Sequence, residues 1–135
     1  MSKLKLVPFV LALAATLAVA TTASAKGGGG GGTTTCVQIR DFSVATGVDE
    51  SGAPTYTTSY VVDNNCVDEL MSSAALDYRN LTTGFVGRAV TMLSYGVNTF
   101  SRTAPGVAGQ TLQITLTVYA PNGKVGGTAT QTVSF

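Results

Sequence analysis

Apolar and polar residues alternate most regularly near the end of the chain. In residues 111–119, apolar side chains occupy every second position from Leu112 to Val118, and Gln and Thr residues fill the positions between them. A period of two is typical of a strand with one buried and one exposed face. Residues 128–135 alternate in the same way, and an Asn-Gly pair, which favours a tight turn, lies between the two segments. The pattern therefore predicts a C-terminal antiparallel hairpin.

The same alternation is fainter in the preceding part of the chain, where Thr-, Val- and Tyr-rich segments are separated by Gly, Asn, Asp and Pro. We expect strands at residues 36–44, 55–63, 85–95 and 98–102, and a bulge before Phe42 in the first of them. The segment 67–78 fits two patterns, because its apolar residues share one helical stripe and its second half also alternates. We expect a loop or short helical turn at residues 67–71 and a strand at 74–79. About seven short strands predict an all-β fold, an antiparallel β-sandwich.

The first 25 residues have the three parts of a secretory signal peptide. Two lysines form a positive n-region, an apolar run follows, and Ala23 and Ala25 supply the small residues that a signal peptidase accepts. We expect cleavage before Lys26. A membrane anchor is the alternative, but the apolar run is shorter than the about 20 residues that span a bilayer. Residues 26–34 include six consecutive glycines and predict a disordered Gly/Thr-rich linker, which leaves residues 35–135 as the β-sandwich domain.

The chain has two cysteines, Cys36 and Cys66. Export to an oxidising compartment would allow them to pair. In the chain-entropy treatment, closing a loop of this length contributes about 3.5 kcal/mol of stability. A reactive thiol is the alternative, yet the sequence contains no His to activate one and no Cys-x-x-Cys motif. We therefore predict one disulfide in a protein that is secreted, periplasmic or held at the cell surface.

Three segments give the chain a resemblance to immunoglobulin-like and fibronectin type III-like extracellular domains. They are Tyr-Val-Val-Asp-Asn-Asn-Cys at residues 60–66, Leu-Asp-Tyr-Arg-Asn-Leu-Thr-Thr-Gly at 76–84, and Thr-Leu-Gln-Ile-Thr-Leu-Thr-Val-Tyr-Ala-Pro-Asn-Gly at 111–123. The last segment resembles the penultimate strand and closing turn of such domains. The resemblance covers residues 35–135 and lies in the rhythm of strands and turns. It implies an Ig-like arrangement of the two sheets.

Charge and residue content argue against several function classes. After the signal peptide the chain has six basic and seven acidic residues, so it lacks the basic surface with which proteins bind nucleic acids or anionic membranes. No His is present, which removes Ser-His-Asp catalysis and the commonest metal ligand. We expect no nucleic-acid partner, no membrane association after signal removal, no metal, no cofactor and no enzymatic activity.

Two functions are favoured by these features. The first is a non-enzymatic exported module with a binding or structural role, and the second is a subunit or carbohydrate-contacting accessory protein of a cell-surface assembly, with an extracellular protein or a glycan as partner. Less favoured are a small outer-membrane barrel, which would need eight strands of about 10 residues, and a hydrolase using carboxylates alone, such as Asp49 and Glu50. Tyr119 points away from the apolar face of its strand and is the candidate contact residue. The triplet beginning at Asn80 fits a glycosylation acceptor.

Overall fold

The computed structural model describes residues 35–67 and 71–135. The predicted signal peptide, its cleavage residues Ala23, Ala25 and Lys26, and the predicted linker lie outside these ranges. The described residues form no helix and seven strands: β1 (Val37–Val48), β2 (Pro54–Asn64), β3 (Ser73–Asn80), β4 (Val86–Met92), β5 (Gly96–Pro105), β6 (Thr111–Tyr119) and β7 (Val125–Ser134). The fold is all-β, as the alternation predicts.

The strands form two antiparallel sheets. One sheet has three strands in the order β1-β2-β5, and the other has four in the order β4-β3-β6-β7. Side chains at alternate positions of both sheets form one shared hydrophobic core, whose largest fully buried apolar members are Phe42, Ile114, Leu116, Val37, Val62 and Val118. Each sheet therefore buries one face against the other, which is the arrangement of a β-sandwich.

The C-terminal hairpin is confirmed. Strand β6 has the predicted bounds and pairs with β7, which begins three residues earlier than predicted. The bulge before Phe42 is also confirmed, because the pairing of β1 with β2 shifts between Ile39 and Asp41. Strand β1 continues four residues beyond the predicted end. The turn from β1 to β2 is closed by the Asp49 carboxylate, which accepts hydrogen bonds from the backbone N–H groups of Ser51 and Ala53 at 2.8 and 3.0 Å.

The segment that fits both helix and strand patterns contains a strand. Ser73–Asn80 forms β3, which lies between β4 and β6 and pairs with both. Ala74 and Leu76 are buried in the core from this strand. Residues 68–70, where we expect a loop or helical turn, lie outside the described ranges. Hydrogen bonding of the β3 backbone to strands on both sides thus favours a strand over the helix that the spacing of its apolar residues also allows.

The predicted disulfide is confirmed. The Cα atoms of Cys36 and Cys66 are 4.9 Å apart, and the bridge lies just beyond the ladder pair Val37–Asn64. The Asn65 backbone N–H also donates a hydrogen bond to the Cys36 carbonyl oxygen at 2.7 Å. The bridge therefore fastens the start of β1 to the end of β2, and it indicates an oxidising compartment.

The two long sides of the sandwich differ. On one side β1 lies against β7, where the pairing of β7 with β6 shifts by one residue at Gly126. The Thr35 hydroxyl reaches across this side and donates to the Gly126 carbonyl oxygen at 3.3 Å. On the other side, the edge strands β4 and β5 do not approach each other in this way. The sandwich is therefore closed along β1 and β7 and open along β4 and β5.

Candidate functional site

A cleft of about 360 Å³ lies between the two sheets, with β2 and β5 forming one wall and β3 and β4 the other. Two of the β4 residues that line it are Gly87 and Ala89, which pair with Tyr78 and Leu76 of β3. Because these two residues are small, they leave space between the sheets that larger side chains would fill. The volume falls within the range of about 300–1,000 Å³ that is typical of small-ligand sites.

Aromatic rings line the cleft on both walls. The ring centroids of Tyr56 and Phe135 are 5.8 Å apart, and the ring planes are inclined by 48°. The Phe135 ring lies on Gly106, where an added Cβ would come within 2.6 Å of it. Tyr78 lines the cleft from the other sheet, as does Phe85, which is 69% exposed and belongs to the rim. The cleft therefore has apolar faces on which a flat ring can pack.

The side chains that line the cleft include one Arg and no Asp or Glu. Arg102 of β5 pairs with Thr58 of β2, and its guanidinium acts electrostatically on the hydroxyls of Tyr56 and Tyr78. Burial is the larger influence and raises the pKa of both tyrosines above the usual value of 10.0, while the nearby guanidinium opposes this shift. Both phenols are therefore protonated at neutral pH and can donate hydrogen bonds. Arg102 belongs to neither of the ion pairs found among the described residues.

Thr58 is the most buried residue of the lining, with only 1% of its surface exposed. Its hydroxyl oxygen has no hydrogen-bond partner among the described residues. A buried polar atom without a partner costs about 1–3 kcal/mol of stability. Folding alone would therefore favour an apolar side chain of similar shape at this position.

The side chains of Asn80 and Gln110 lie at one end of the cleft. The Asn80 Nδ2 atom donates to Gln110 Oε1 at 2.7 Å, and Asn80 Oδ1 accepts from the backbone N–H groups of Thr82 and Thr83 at 3.0 Å each. The Asn80 amide thus holds the turn between β3 and β4. A glycan attached to this half-buried nitrogen would begin at the cleft and compete with any ligand for its space.

Apart from Asn80, the residues that we singled out from the sequence as contact or catalytic candidates lie away from the cleft. Tyr119 is half-buried on the outer face of the four-stranded sheet, where its hydroxyl accepts a hydrogen bond from Arg88 at 3.2 Å. Its role as a contact residue stays a prediction. The Asp49 carboxylate accepts hydrogen bonds within its own turn. The 2.6 Å hydrogen bond from the Ser51 hydroxyl is the main cause that holds the pKa of Asp49 below its usual value, and backbone N–H donors add to it. Neither Asp49 nor Glu50 lines the cleft.

The sequence patterns do not single out the cleft residues Arg102, Thr58, Phe85 and Phe135. The alternation of β2 does place Tyr56 and Thr58 on one face, and this was the only signal available. Within residues 35–67 and 71–135, no three His, Cys, Asp or Glu side chains gather closely enough to hold a metal ion. The same residues include no helix of the length and apolarity needed to cross a membrane.

The chain is similar in fold to solved structures, and no relative was found by sequence. No protein-family description and no curated protein matches the chain. Two crystal structures of the Parabacteroides merdae beta-glucuronidase, one of them with glycerol in its active site, are similar in fold, with TM-scores of 0.51 and 0.50 and 12% sequence identity. Each match covers 74% of this chain, which spans only 13% of the glucuronidase. At this level of identity the likeness shows the fold alone, that of one all-β part of a larger protein.

Proposed function

We propose that this chain is an exported, non-enzymatic β-sandwich module that binds a carbohydrate in the cleft between its sheets. The observation that carries the proposal is the composition of the cleft, in which aromatic rings from both walls accompany hydrogen-bond donors. A sugar ring has an apolar C–H face and a rim of hydroxyl groups, so a site for it needs both kinds of surface.

The strand order supports an Ig-like arrangement for this module. Constant-type immunoglobulin domains have strands A, B, E and D in one sheet and C, F and G in the other. If β1, β2, β3, β5, β6 and β7 are taken as A, B, C, E, F and G, the two sheets contain the same sets. The difference is β4, which pairs with the C-equivalent strand instead of with the E-equivalent strand.

Export and the absence of catalysis are the other parts of the proposal. The Cys36–Cys66 disulfide supports an oxidising destination, and the signal-peptide pattern of the first 25 residues agrees with it. A non-enzymatic role is supported by the cleft lining, in which the titratable side chains are a single Arg and two tyrosines. A carboxylate pair for glycoside hydrolysis is not among the lining residues.

Binding calorimetry against a panel of oligosaccharides tests the proposal. Phe85→Ala removes an exposed aromatic ring from the rim of the cleft, and we expect it to weaken binding by about 2- to 12-fold, since an aromatic contact is worth about 0.5–1.5 kcal/mol beyond its area. The matched control is Tyr95→Ala, because Tyr95 is similarly exposed, at 70%, and does not line the cleft. Equal affinity of the two variants, or turnover of any glycan by the unmodified protein, would contradict the proposal.

One observation favours the alternative role of a subunit in a cell-surface assembly. Three apolar side chains, Val86, Val90 and Met92, are more than half exposed on one face of the edge strand β4, with Arg88 between the first two. An edge strand that has one unpaired side and exposed apolar side chains is a surface on which other chains can associate. Light scattering of the purified protein during gel filtration tests this role: a stable oligomer that Val90→Lys dissolves would support it, and a monomer at all concentrations would speak against self-association.

A further inference from the structure

We propose that the cleft selects an acidic sugar, and that Arg102 binds the negatively charged group of that sugar. This inference rests on the proposed function and adds to it the chemical class of the ligand. A uronic acid carboxylate and a sulfate ester present the same chemistry to a guanidinium, so both belong to the class.

No Asp or Glu side chain of the cleft partners Arg102. Arg102 is an exposed residue and the only Lys or Arg of the lining, and both ion pairs of the described residues use other arginines, Arg40 with Asp63 at 2.7 Å and Arg88 with Asp77 at 3.7 Å. A planar guanidinium presents five N–H donors that match a carboxylate or sulfate in two-point hydrogen bonding. A neutral sugar can accept hydrogen bonds from these N–H groups but brings no negative charge to strengthen them.

Two further donors line the same cleft as Arg102. The hydroxyls of Tyr56 and Tyr78 come from opposite sheets, and both interact electrostatically with Arg102. Because both are phenols at neutral pH, they can donate to the same anionic group or to a neighbouring ring oxygen. No Asp or Glu side chain is among the lining residues to compete for these donors.

Strand pairing places aromatic rings close to Arg102. Arg102 pairs with Thr58, and the neighbouring inward position of β5 is Ala104, which pairs with Tyr56. Tyr56 in turn contacts the Phe135 ring. An anionic group at Arg102 therefore has an aromatic surface next to it, two residue pairs further along the same face of the sheet. A pyranose ring that carries a carboxylate or sulfate combines these two features in one molecule.

The test is calorimetry with the purified protein and four probes of equal length: trigalacturonate, its methyl ester, a sulfated galactan trisaccharide and neutral galactotriose. We expect the two acidic probes to bind at least tenfold more tightly than the methyl ester and the neutral sugar, with affinity that falls as NaCl is added. The stronger of the two acidic probes identifies carboxylate or sulfate as the group.

Three variants assign the effect to a residue. Arg102→Gln should remove the preference for acidic probes, Arg102→Lys should keep part of it because the charge remains without the planar fork, and Arg79→Gln should change nothing, since Arg79 is an exposed arginine outside the cleft. Equal binding of the ester and the acid by the unmodified protein overturns the acidic selectivity and leaves carbohydrate binding standing. Failure of all four probes to bind overturns both proposals for this cleft.

Discussion

The contact between β1 and β7 at Gly126 gives the sharpest prediction for stability. A Cβ atom added at Gly126 would lie 2.4 Å from the carbonyl oxygen of Val37 and 2.6 Å from its Cγ1 atom. Ordinary contact begins at 3.4 Å, so β1 and β7 would have to separate by roughly 1 Å where they pack together at half-buried Gly126. Overpacking of this kind costs about 1–3 kcal/mol.

The adjacent glycine is a matched control. A Cβ at Gly127 would meet its nearest atoms, on Ile39, at 3.5 Å, which is ordinary contact. Both substitutions by Ala remove the same backbone freedom from the unfolded chain, a gain of about 0.4–1 kcal/mol where the native backbone accepts Ala. We therefore expect Gly126→Ala to be less stable than Gly127→Ala by about 1–3 kcal/mol.

Urea unfolding followed by circular dichroism measures this difference. For a domain of this size, each kcal/mol shifts the melting temperature by about 4–8 °C, so thermal melts give an independent reading. If the two variants differ by less than about 0.5 kcal/mol, which is the spread of ordinary surface substitutions, then β1 and β7 do not meet as described and the closed side of the sandwich is wrong.

Three other predictions concern the bridge and the cleft. Reduction of the Cys36–Cys66 disulfide should lower the free energy of unfolding by about 3.5 kcal/mol, measured by urea titration with and without a reductant; a loss below 1 kcal/mol would contradict the loop-closure argument. The pKa values of Tyr56 and Tyr78 are raised above 10.0, so the unfolded chain releases these protons first. The stability that they contribute is complete below pH 10 and falls as the pH rises through the folded pKa values, which ultraviolet titration and melting can follow together; half-ionisation of both tyrosines at pH 10 would refute the shift. Thr58→Val should raise the free energy of unfolding by about 1 kcal/mol, because the hydroxyl has no partner; a loss of stability would show that it has one.

The fold could be predicted because strand alternation is a local property. In β6, every second side chain from Leu112 to Val118 enters the core or its edge, and the sequence displays that period without any knowledge of the partner strand. Strand β3 was harder, since its apolar residues also suit a helix. Backbone pairing with the neighbouring strands β4 and β6 decides in favour of a strand, and β6 is distant from β3 in the sequence.

The cleft could not be predicted, because it depends on pairs of residues that are far apart in the chain. Arg102 looks like one of several scattered charges until β5 pairs with β2 and places it opposite Thr58. Gly87 and Ala89 look like weak strand residues, and their importance is the space that they leave beside Tyr78. No local pattern encodes such a space, since it is defined by the side chains of two sheets together.

The central claim is that the open side of the sandwich holds the ligand, and chemical-shift mapping by NMR with the acidic trisaccharide tests it most directly. The account predicts that the amide signals of Tyr56, Thr58 and Arg102 move on titration, and that those of Thr115 and Thr130, whose hydroxyls are paired at 3.0 Å on the outer face of the four-stranded sheet, stay in place. Shifts confined to that outer face would contradict it.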